Sequence, residues 1–486
     1  MRSHPASADY ARHLSLIGAA LDVRITHPTG DPLPRRSTWG PALDVALPRR
    51  GLGPDAVLDE VVAHLIPNGM RAVDPEWSGW ILSAAESSVL AATAAAAVTG
   101  PQRYLLTAYN LVEDVSLRWL AQVCGLDPER MKGIYSSGGS VANLVALGAA
   151  RQWAYEQRGV DVAADGMAAA GRPGAIYASS ETHHTVLRAA AVLGLGRSAV
   201  REIPVDHRQR TDVAALAERL PADRAADVVP IAVVANAGTT NTGAIDPIRA
   251  IGELAHEHGA WFHVDGAYGL VAWADERVRP LLDGLDLADS AIVDPHKWLS
   301  APTGIGATFV RDPTILERAF TQEPAAYLAA IDAPADVQVS VESMGIHYGD
   351  MGVELSAPAR GTAVWATLLA LGSEGVAARV REDRDLAAYL SRLAHEHPRL
   401  EVLAEPTLSI TCFRYAVPAT SPSDADALTE AIYHRLVRTT PYVPSTTRVA
   451  GALAIRPCFT NPRTDVEHVA GLADAVARIG DELTGR

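Results

Sequence analysis

The sequence predicts an α/β protein with a mostly parallel central sheet that is covered by helices. From about residue 86, short β-branched runs alternate with segments of helical period, which is typical of such sheets. The predicted strands are nearly continuous apolar runs, as expected for parallel strands that are buried on both faces. The segment 246–259, "DPIRAIGELAHEHG", has the period of a helix that connects two such strands.

The chain of 486 residues is too long for one ordinary core. Residues 1–85 are rich in Pro and Arg and predict an N-terminal helical arm. Residues 86–345 predict the large α/β domain. The composition then shifts to long Ala, Leu and Arg segments, followed by alternating patterns in "LEVLAEPTLSITCFRY" and "ALAIRPCFTNP". We therefore predict a small C-terminal α+β domain over residues 346–486.

The individual elements follow from local patterns. In the connecting helix, Asp246 is a suitable N-cap, Pro247 fits the first helical position and Gly259 can end the helix. Further helices are predicted at 8–21, 54–66 and 464–483. Strands are predicted at 174–180, 199–205, 230–238, 261–267, 290–295 and 306–312.

Composition narrows the classes of function. The formal charge is −15 and no run of Lys and Arg forms a basic stripe, so we expect neither a nucleic acid nor an anionic membrane as partner. The scattered Cys124, Cys412 and Cys458 are typical of reduced thiols. The start of the sequence lacks the apolar core of a signal peptide, and the apolar stretch 89–100 is too short to span a bilayer. We expect a soluble, cytoplasmic protein.

A glycine-rich turn precedes the helical pattern that begins near Val141. Its residues, "SSGGS" from Ser136 to Ser140, allow close approach of an anion to the free N–H groups of a helix start. A phosphate site is one interpretation of this turn. A simple helix cap is the other.

Two charged residues follow predicted strands. Asp265 ends the strand in "WFHVDGAYG", and Lys297 follows the strand in "SAIVDPHKWLS". Side chains at the carboxyl ends of parallel strands share one crevice, so an ammonium and a carboxylate can face the same ligand there. The alternatives are a turn aspartate and a surface lysine whose stem lies on apolar neighbours.

Two adjacent histidines, His183 and His184, lie between a predicted strand and a predicted helix. Neighbouring side chains point in different directions and no Cys is close in sequence, so we expect no zinc site. A ring stacked on a planar cofactor is the functional interpretation, and a capping histidine is the structural one.

The motifs "NAGTTNTGAIDPI", "WFHVDGAYG" and "DPHKWLSAP" follow the Gly-Gly-Ser turn in a specific order. In this order they resemble the group II pyridoxal-phosphate-dependent amino-acid decarboxylases, the group of the glutamate and aromatic-L-amino-acid enzymes. The resemblance covers residues 70–370 most strongly. It implies fold type I, pyridoxal 5'-phosphate as cofactor bound by the large domain, and a homodimer with the active site at the subunit boundary.

The resemblance also implies roles for single residues. Lys297 resembles the lysine that binds the cofactor covalently through an imine. Asp265 resembles the carboxylate that keeps the pyridine nitrogen protonated, so that the ring accepts electrons when carbon dioxide departs. His183 resembles the histidine stacked on the ring. The further cofactor contacts implied by the resemblance are Gly139, Ser140, Thr239, Ala267 and His296.

The product and the substrate are less closely defined. Tyr327 matches a loop tyrosine that protonates the product carbon in relatives, where phenylalanine favours aldehyde formation, so tyrosine favours a simple amine. The segment "DPEWSGWILS" matches the substrate pocket, with Trp77, Trp80, Ile81, Leu82 and Ser83 as the predicted lining. This lining contains no arginine and favours an aromatic or apolar side chain, since an unpaired buried charge is costly. A core segment would have the same composition.

The sequence therefore predicts a decarboxylase that converts an L-amino acid to its amine and carbon dioxide. The alternatives are an oxidative decarboxylase that forms an aldehyde, an acidic amino-acid decarboxylase, an aminotransferase and a non-catalytic homologue. A dehydrogenase is not expected, because "GLGRSA" at 194–199 is only a fragment of a dinucleotide loop and follows no predicted strand.

Overall fold

The computed structural model of the chain describes residues 9–26, 36–103, 107–321, 345–417 and 420–485. Its α-helices and β-strands alternate through the middle of the chain. They are α1 (Tyr10–Thr26), α2 (Arg36–Leu43), α3 (Pro54–Glu60), β1 (Trp77–Ser78), α4 (Ser87–Thr99), α5 (Ala108–Val123), β2 (Lys132–Ser136), α6 (Gly139–Glu156), α7 (Val162–Asp165), β3 (Gly174–Ser179), α8 (Thr185–Val192), β4 (Val200–Ile203), α9 (Val213–Ala225), β5 (Val229–Asn236), α10 (Ile248–Glu257), β6 (Trp261–Asp265), β7 (Ser290–Val293), β8 (Gly306–Val310), α11 (Thr314–Phe320), α12 (Gly361–Glu396), β9 (Leu400–Ala404), β10 (Cys412–Tyr415), α13 (Pro422–Thr439), β11 (Val443–Val449), β12 (Ala452–Arg456) and α14 (Val466–Thr484).

The central sheet has seven strands in the order β2-β8-β7-β6-β5-β3-β4. Only the pairings of β8 with β7 and with β2 are antiparallel; the other four pairings are parallel. Every residue of β3, β5, β6, β7 and β8 is buried, which explains their continuous apolar sequences. The carboxyl ends of the parallel strands therefore lie along one edge of the sheet.

The six strands predicted in this region are all present, with ends shifted by at most two residues. Strand β2 was not predicted. It is short and begins with Lys132 and Gly133, and neither residue is typical of a strand. It nevertheless pairs along its whole length with β8.

The predicted N-cap of α10 is wrong. Pro247 takes that position without a side-chain cap. The Asp246 carboxylate instead accepts hydrogen bonds from the backbone N–H groups of Thr211 and Asn236, each at 2.7 Å. Asp246 thus joins the end of β5 to the segment before α9. Gly259, with φ +65°, follows α10 as predicted.

A second sheet of five strands has the order β1-β11-β12-β10-β9. Four of its strands come from the C-terminal part of the chain, but β1 contributes Trp77 and Ser78, which pair in parallel with Val443 and Pro444. Strand β11 was not predicted, because its sequence, "VPSTTRV", contains Pro and several polar residues. The division of the chain at residues 85 and 345 remains our proposal.

Helix α12 connects the two cores. Val364 and Val380 pack in the large core, whereas Leu390 packs in the core under the second sheet. This helix is long and apolar enough to cross a membrane by length and composition. Gly372 interrupts it with φ +63°, and its apolar side chains are used in both cores, so we interpret it as a core helix.

Candidate active site

A cavity of about 300 Å³ lies at the carboxyl edge of the central sheet. Its walls come from the loops after β2, β3, β5, β6 and β7 and from the loop before β8. Most of the predicted cofactor and catalytic residues meet there. They are Gly139, Ser140, His183, Asp265, Ala267, His296 and Lys297.

Lys297 lies in the loop after β7, and its amine is held by a neighbour. Its Nζ is 3.2 Å from Oδ2 of Asp294, and its backbone N–H donates to the Asp294 carbonyl at 2.9 Å. Asp294 is buried, and its Oδ1 has no hydrogen-bond partner. A buried carboxylate oxygen without a donor is costly.

Asp265 ends β6 in the middle of the sheet, and its side chain is fixed from two sides. Oδ2 accepts a hydrogen bond from Nδ2 of Asn143 at 3.1 Å, and Oδ1 accepts one from the backbone N–H of Ala267 at 3.2 Å. The residue is 7% exposed. These bonds compensate the burial of an ionised carboxylate and hold it toward the cavity.

His183 lies after β3, with Nδ1 2.9 Å from Oγ1 of Thr185. Burial lowers the pKa of His183 to about 4, although the nearby Asp265 carboxylate raises it in part. The ring is therefore neutral at pH 7, as suits an aromatic surface rather than a charged partner.

The start of α6 forms the opposite wall. Gly138 has φ +108°, and α6 begins at Gly139 and continues for 18 residues. A Cβ atom on Gly139 would lie 2.5 Å from Oδ2 of Asp294, so only glycine fits this approach. The free N–H groups of this helix start face the cavity and can bind an anion.

Together these features match the functional groups of pyridoxal phosphate. The cavity offers an amine for the aldehyde, a carboxylate for the ring nitrogen, a neutral imidazole for stacking and a helix start for the phosphate. Gly139 brings the start of α6 against Asp294, the partner of Lys297. The residues present fit the cofactor.

Other predicted residues are not brought to this cavity. Thr239 does not line the cavity in one chain, where its hydroxyl accepts the N–H of Ala244 at 3.1 Å and lies 3.0 Å from the Thr242 hydroxyl; its cofactor contact remains a prediction. Its neighbours Gly238 and Thr240 line the cavity instead. Tyr327 lies outside the described residues.

The predicted substrate lining does not reach the cavity within one chain. Trp77 packs against Val437 and Val443 in the small-domain core of one chain, and its assignment to the pocket remains a prediction. The Ser83 hydroxyl lies 2.7 Å from that of Ser300, beside the Lys297 loop. The remaining three are Trp80, which is 59% exposed, and the half-buried Ile81 and Leu82.

Sequence reasoning missed several residues at the site. Asn143 and Thr185 line the cavity and bond to predicted residues. Arg456 is 4% exposed and donates to the carbonyl oxygens of Asn241, Trp80 and Thr240, and it forms no ion pair within the described part of the chain. A lone arginine in the apolar run "ALAIRP" was the signal that could have indicated it.

A second interaction connects the Lys297 loop to α12. The indole Nε1 of Trp298 donates to Oδ2 of Asp383 at 2.7 Å, and its ring stacks on Tyr268. Burial raises the pKa of Asp383 to about 7, because no solvent reaches its carboxyl group. The small domain thereby contacts the residue next to Lys297.

A larger cavity of about 480 Å³ lies elsewhere, near Arg130, Arg279 and Arg311. None of the predicted site residues lines it. The chemistry, rather than the size, identifies the smaller cavity as the candidate active site.

Comparison with known proteins identifies the family of the chain. The family described as "pyridoxal-dependent decarboxylase conserved domain" matches residues 45–416. An aromatic-L-amino-acid decarboxylase of Bacillus atrophaeus is 31% identical over 377 residues, covering 77% of this chain and 74% of the relative. An aspartate 1-decarboxylase of Aliivibrio fischeri is 30% identical over 329 residues, covering 66% of this chain and 58% of the relative.

A solved structure, Oryza sativa TDC with PLP and tryptamine, has the same fold with a TM-score of 0.88. The two chains are 24% identical, and the match covers 99% of each. The predicted fold type I is thereby confirmed. The chain belongs to the group II pyridoxal-phosphate-dependent amino-acid decarboxylases, which are carboxy-lyases, and its cofactor is pyridoxal 5'-phosphate.

Proposed function

We propose that this enzyme decarboxylates an L-amino acid with an aromatic or apolar side chain and releases the amine and carbon dioxide. The observation that carries the proposal is the shared cavity of Lys297 and Asp265. The relative from Bacillus atrophaeus, named for aromatic amino acids, supports the substrate class. The absence of a charged side chain between Trp77 and Ser83 supports it as well.

Three residues of the cavity have proposed roles toward the cofactor and substrate. Lys297 would bind the cofactor covalently, and Asp265 would hold a proton on the ring nitrogen. His183 would lie against the ring as a neutral surface. When bound, pyridoxal phosphate supplies an electron sink for the electron pair left by carbon dioxide.

Asp294 would hold the Lys297 amine in place and stabilise its protonated form. Its Oδ2 is 3.2 Å from Nζ, so the amine remains oriented after it is displaced by a substrate amine. The Gly139 and Ser140 N–H groups would bind the phosphate, with His296 on the neighbouring loop. Tyr327 remains our proposed proton donor to the product carbon, which favours amine over aldehyde.

A second candidate is an acidic amino acid as substrate. Arg456 favours it, because this buried cation lies beside cavity residue Thr240 and the predicted pocket residue Trp80 and has no carboxylate partner among the described residues. A substrate carboxylate could pair with the two N–H groups that remain. The aspartate 1-decarboxylase relative has a name of this class.

The test is a panel of carboxyl-labelled amino acids given to the loaded enzyme. Labelled carbon dioxide with a stoichiometric amine from aromatic or apolar substrates supports the proposal, whereas turnover of glutamate or aspartate alone supports the second candidate. Ammonia and peroxide in place of the amine would indicate the aldehyde-forming reaction. Carbon dioxide from no amino acid would contradict both.

The chain provides a matched control for this panel. It contains two lysines, Lys132 and Lys297. Lys132 begins β2, at the end away from the cavity, with Nζ 2.9 Å from the Pro128 carbonyl and its side chain about half exposed. Lys297→Ala should abolish carbon dioxide release, and Lys132→Ala should leave it unchanged.

We also propose a homodimer. In α1, α3 and the following helical turn (Val61–Leu65), no residue is buried within one chain. Tyr10, Leu14, Val23 and Leu47 are each more than half exposed, so the arm presents apolar surface that a second copy would cover. A monomeric mass in light scattering at low micromolar concentration would contradict this.

A cytoplasmic location is proposed on the state of the thiols. Cys124, Cys412 and Cys458 are buried and free, and burial raises the pKa of each thiol. They are suited to a reducing compartment. Cell fractionation with an antibody to the chain would test it.

A further inference from the structure

Asn143 is the junction of a buried hydrogen-bond network on the wall of the active site. Its Nδ2 is 3.1 Å from Oδ2 of Asp265 and 3.1 Å from Oγ1 of Thr185, and its Oδ1 is 3.0 Å from Nε2 of His263. An ionised carboxylate can only accept hydrogen bonds. The amide nitrogen must therefore face Asp265, and this fixes which way the Asn143 amide points.

The orientation of Asn143 determines the protonation of His263. Because Oδ1 of Asn143 can only accept, Nε2 of His263 must carry the ring proton. Burial lowers the pKa of His263 to about 4, so the ring is neutral and Nδ1 is an acceptor. Nδ1 then accepts from the hydroxyl of Ser290 at 2.8 Å, and that hydroxyl oxygen accepts from the indole Nε1 of Trp261 at 2.7 Å.

The other branch determines the tautomer of His183. Oγ1 of Thr185 accepts from Asn143, so its own proton is free to point to Nδ1 of His183, 2.9 Å away. With the hydroxyl donating to Nδ1, the ring proton of the neutral His183 is on Nε2. The hydrogen bonds therefore all point the same way. They start at the indole of Trp261, which can only donate, and end at the Asp265 carboxylate, which can only accept, and at Nδ1 of His183.

We propose that Asn143 is a positioning residue that holds Asp265 and His183 in one directed hydrogen-bond network. The network orients the carboxylate toward the cofactor nitrogen and keeps the proton of His183 on Nε2. It deepens the proposed function and rests on the roles given there to Asp265 and His183. We call it the Asn143 network; it comprises Trp261, Ser290, His263, Asn143, Asp265, Thr185 and His183.

The energetic reason lies in the burial of the residues at the centre of the network. Asn143, Thr185, His263 and Ser290 are each at most 3% exposed, so a lost partner is not replaced by water. In such surroundings a satisfied network fixes a single arrangement of side chains. Removing Asn143 leaves the Asp265 carboxylate with one donor instead of two and frees it to rotate.

The same helix provides a matched control. Gln152, also on α6, is 0% exposed, and its amide donates to Glu156 at 3.0 Å and to Asp161 at 2.8 Å. Gln152→Leu therefore removes from α6 a buried amide that donates to two carboxylates. Asn143→Leu removes a buried amide that donates to one carboxylate and one hydroxyl. Gln152 does not line the cavity. Any loss that comes only from weakening α6 should appear in both variants.

The experiment measures the dissociation constant for pyridoxal phosphate, by absorbance, in the full-length chain. Asn143→Leu should raise it at least about tenfold, equivalent to about 1.4 kcal/mol, and Gln152→Leu should change it less than about twofold. Equal effects of the two variants on cofactor affinity, at equal loss of folding stability, would overturn the proposal.

A second measurement does not depend on cofactor binding. Ring nitrogen NMR of histidine-labelled protein, with His183 assigned by its loss in His183→Gln, should show Nδ1 unprotonated and Nε2 protonated. Thr185→Val should shift His183 toward a mixture of tautomers. A protonated Nδ1 in the unmutated protein would overturn the network even if Asn143→Leu did not fold. If the unmutated chain failed to bind pyridoxal phosphate, the proposed function would fail, and the tautomer would still decide the network.

Discussion

Asp265→Asn is the substitution that tests the electrostatics of the site most closely. The side chain keeps its shape and is 7% exposed, so cavity formation contributes little. The amide can still accept the N–H of Ala267. Its new NH₂ group, however, would face Nδ2 of Asn143, now 3.1 Å from Oδ2, donor against donor.

The magnitude follows from the lost charge. A hydrogen bond to a charged group contributes about 1.5–3 kcal/mol, so the dissociation constant for pyridoxal phosphate should rise roughly 10- to 150-fold. The loss should be larger in catalysis, because the cationic ring nitrogen is needed most when the electron pair of carbon dioxide is released. We expect kcat to fall at least about a hundredfold at saturating cofactor, about 2.7 kcal/mol.

The control is Asp223→Asn. Asp223 is also 7% exposed but pairs with Arg201 and Arg219 away from the cavity. Asp223→Asn should lower folding stability and leave cofactor affinity and kcat within about twofold of the unmutated values. If Asp265→Asn bound the cofactor as tightly as Asp223→Asn and turned over at the unmutated rate, the role assigned to Asp265 would be refuted.

Three further predictions concern other parts of the structure. Gly139→Ala should weaken cofactor binding at least about tenfold in a titration, because its Cβ would lie 2.5 Å from Asp294. The control is Gly18→Ala, where nothing lies within 4 Å and binding should not change. Equal binding by the two variants would contradict the close approach of α6 to Asp294. Asp383→Asn should flatten the pH dependence of stability. Burial raises the pKa of Asp383 in the folded state from 3.8 to about 7, so the unmutated protein loses about 3 kcal/mol of unfolding free energy between pH 5 and pH 8 that the variant retains. Parallel denaturation curves for the two proteins across that range would contradict this. Arg456→Met should raise KM for any acidic substrate at least about tenfold and should act much less on an aromatic one, so an equal change in both would show that Arg456 is only structural.

Much of the site could be predicted because its residues lie at strand ends. Asp265, Lys297 and His183 follow apolar runs that the structure shows as β6, β7 and β3. In a parallel sheet these ends meet at one edge, so position in the sequence pattern predicted proximity in space.

The parts that could not be predicted depend on packing between distant elements. Asn143 reaches Asp265 only because α6 crosses the sheet beside β6, and Arg456 comes from the small domain to the carbonyl of the cavity residue Thr240. Neither approach leaves a periodic pattern in the sequence. The packing of Trp77 could not be predicted for a similar reason, since its strand pairs with Val443, far along the chain.

The most direct test of the account is borohydride reduction of the enzyme loaded with pyridoxal phosphate, followed by peptide mapping. The chain has only two lysine side chains, so the site of modification can be assigned without ambiguity. The account predicts one reduced adduct, on the peptide that contains Lys297, and none on Lys132. An unmodified Lys297, or modification of Lys132 instead, would contradict the central claim.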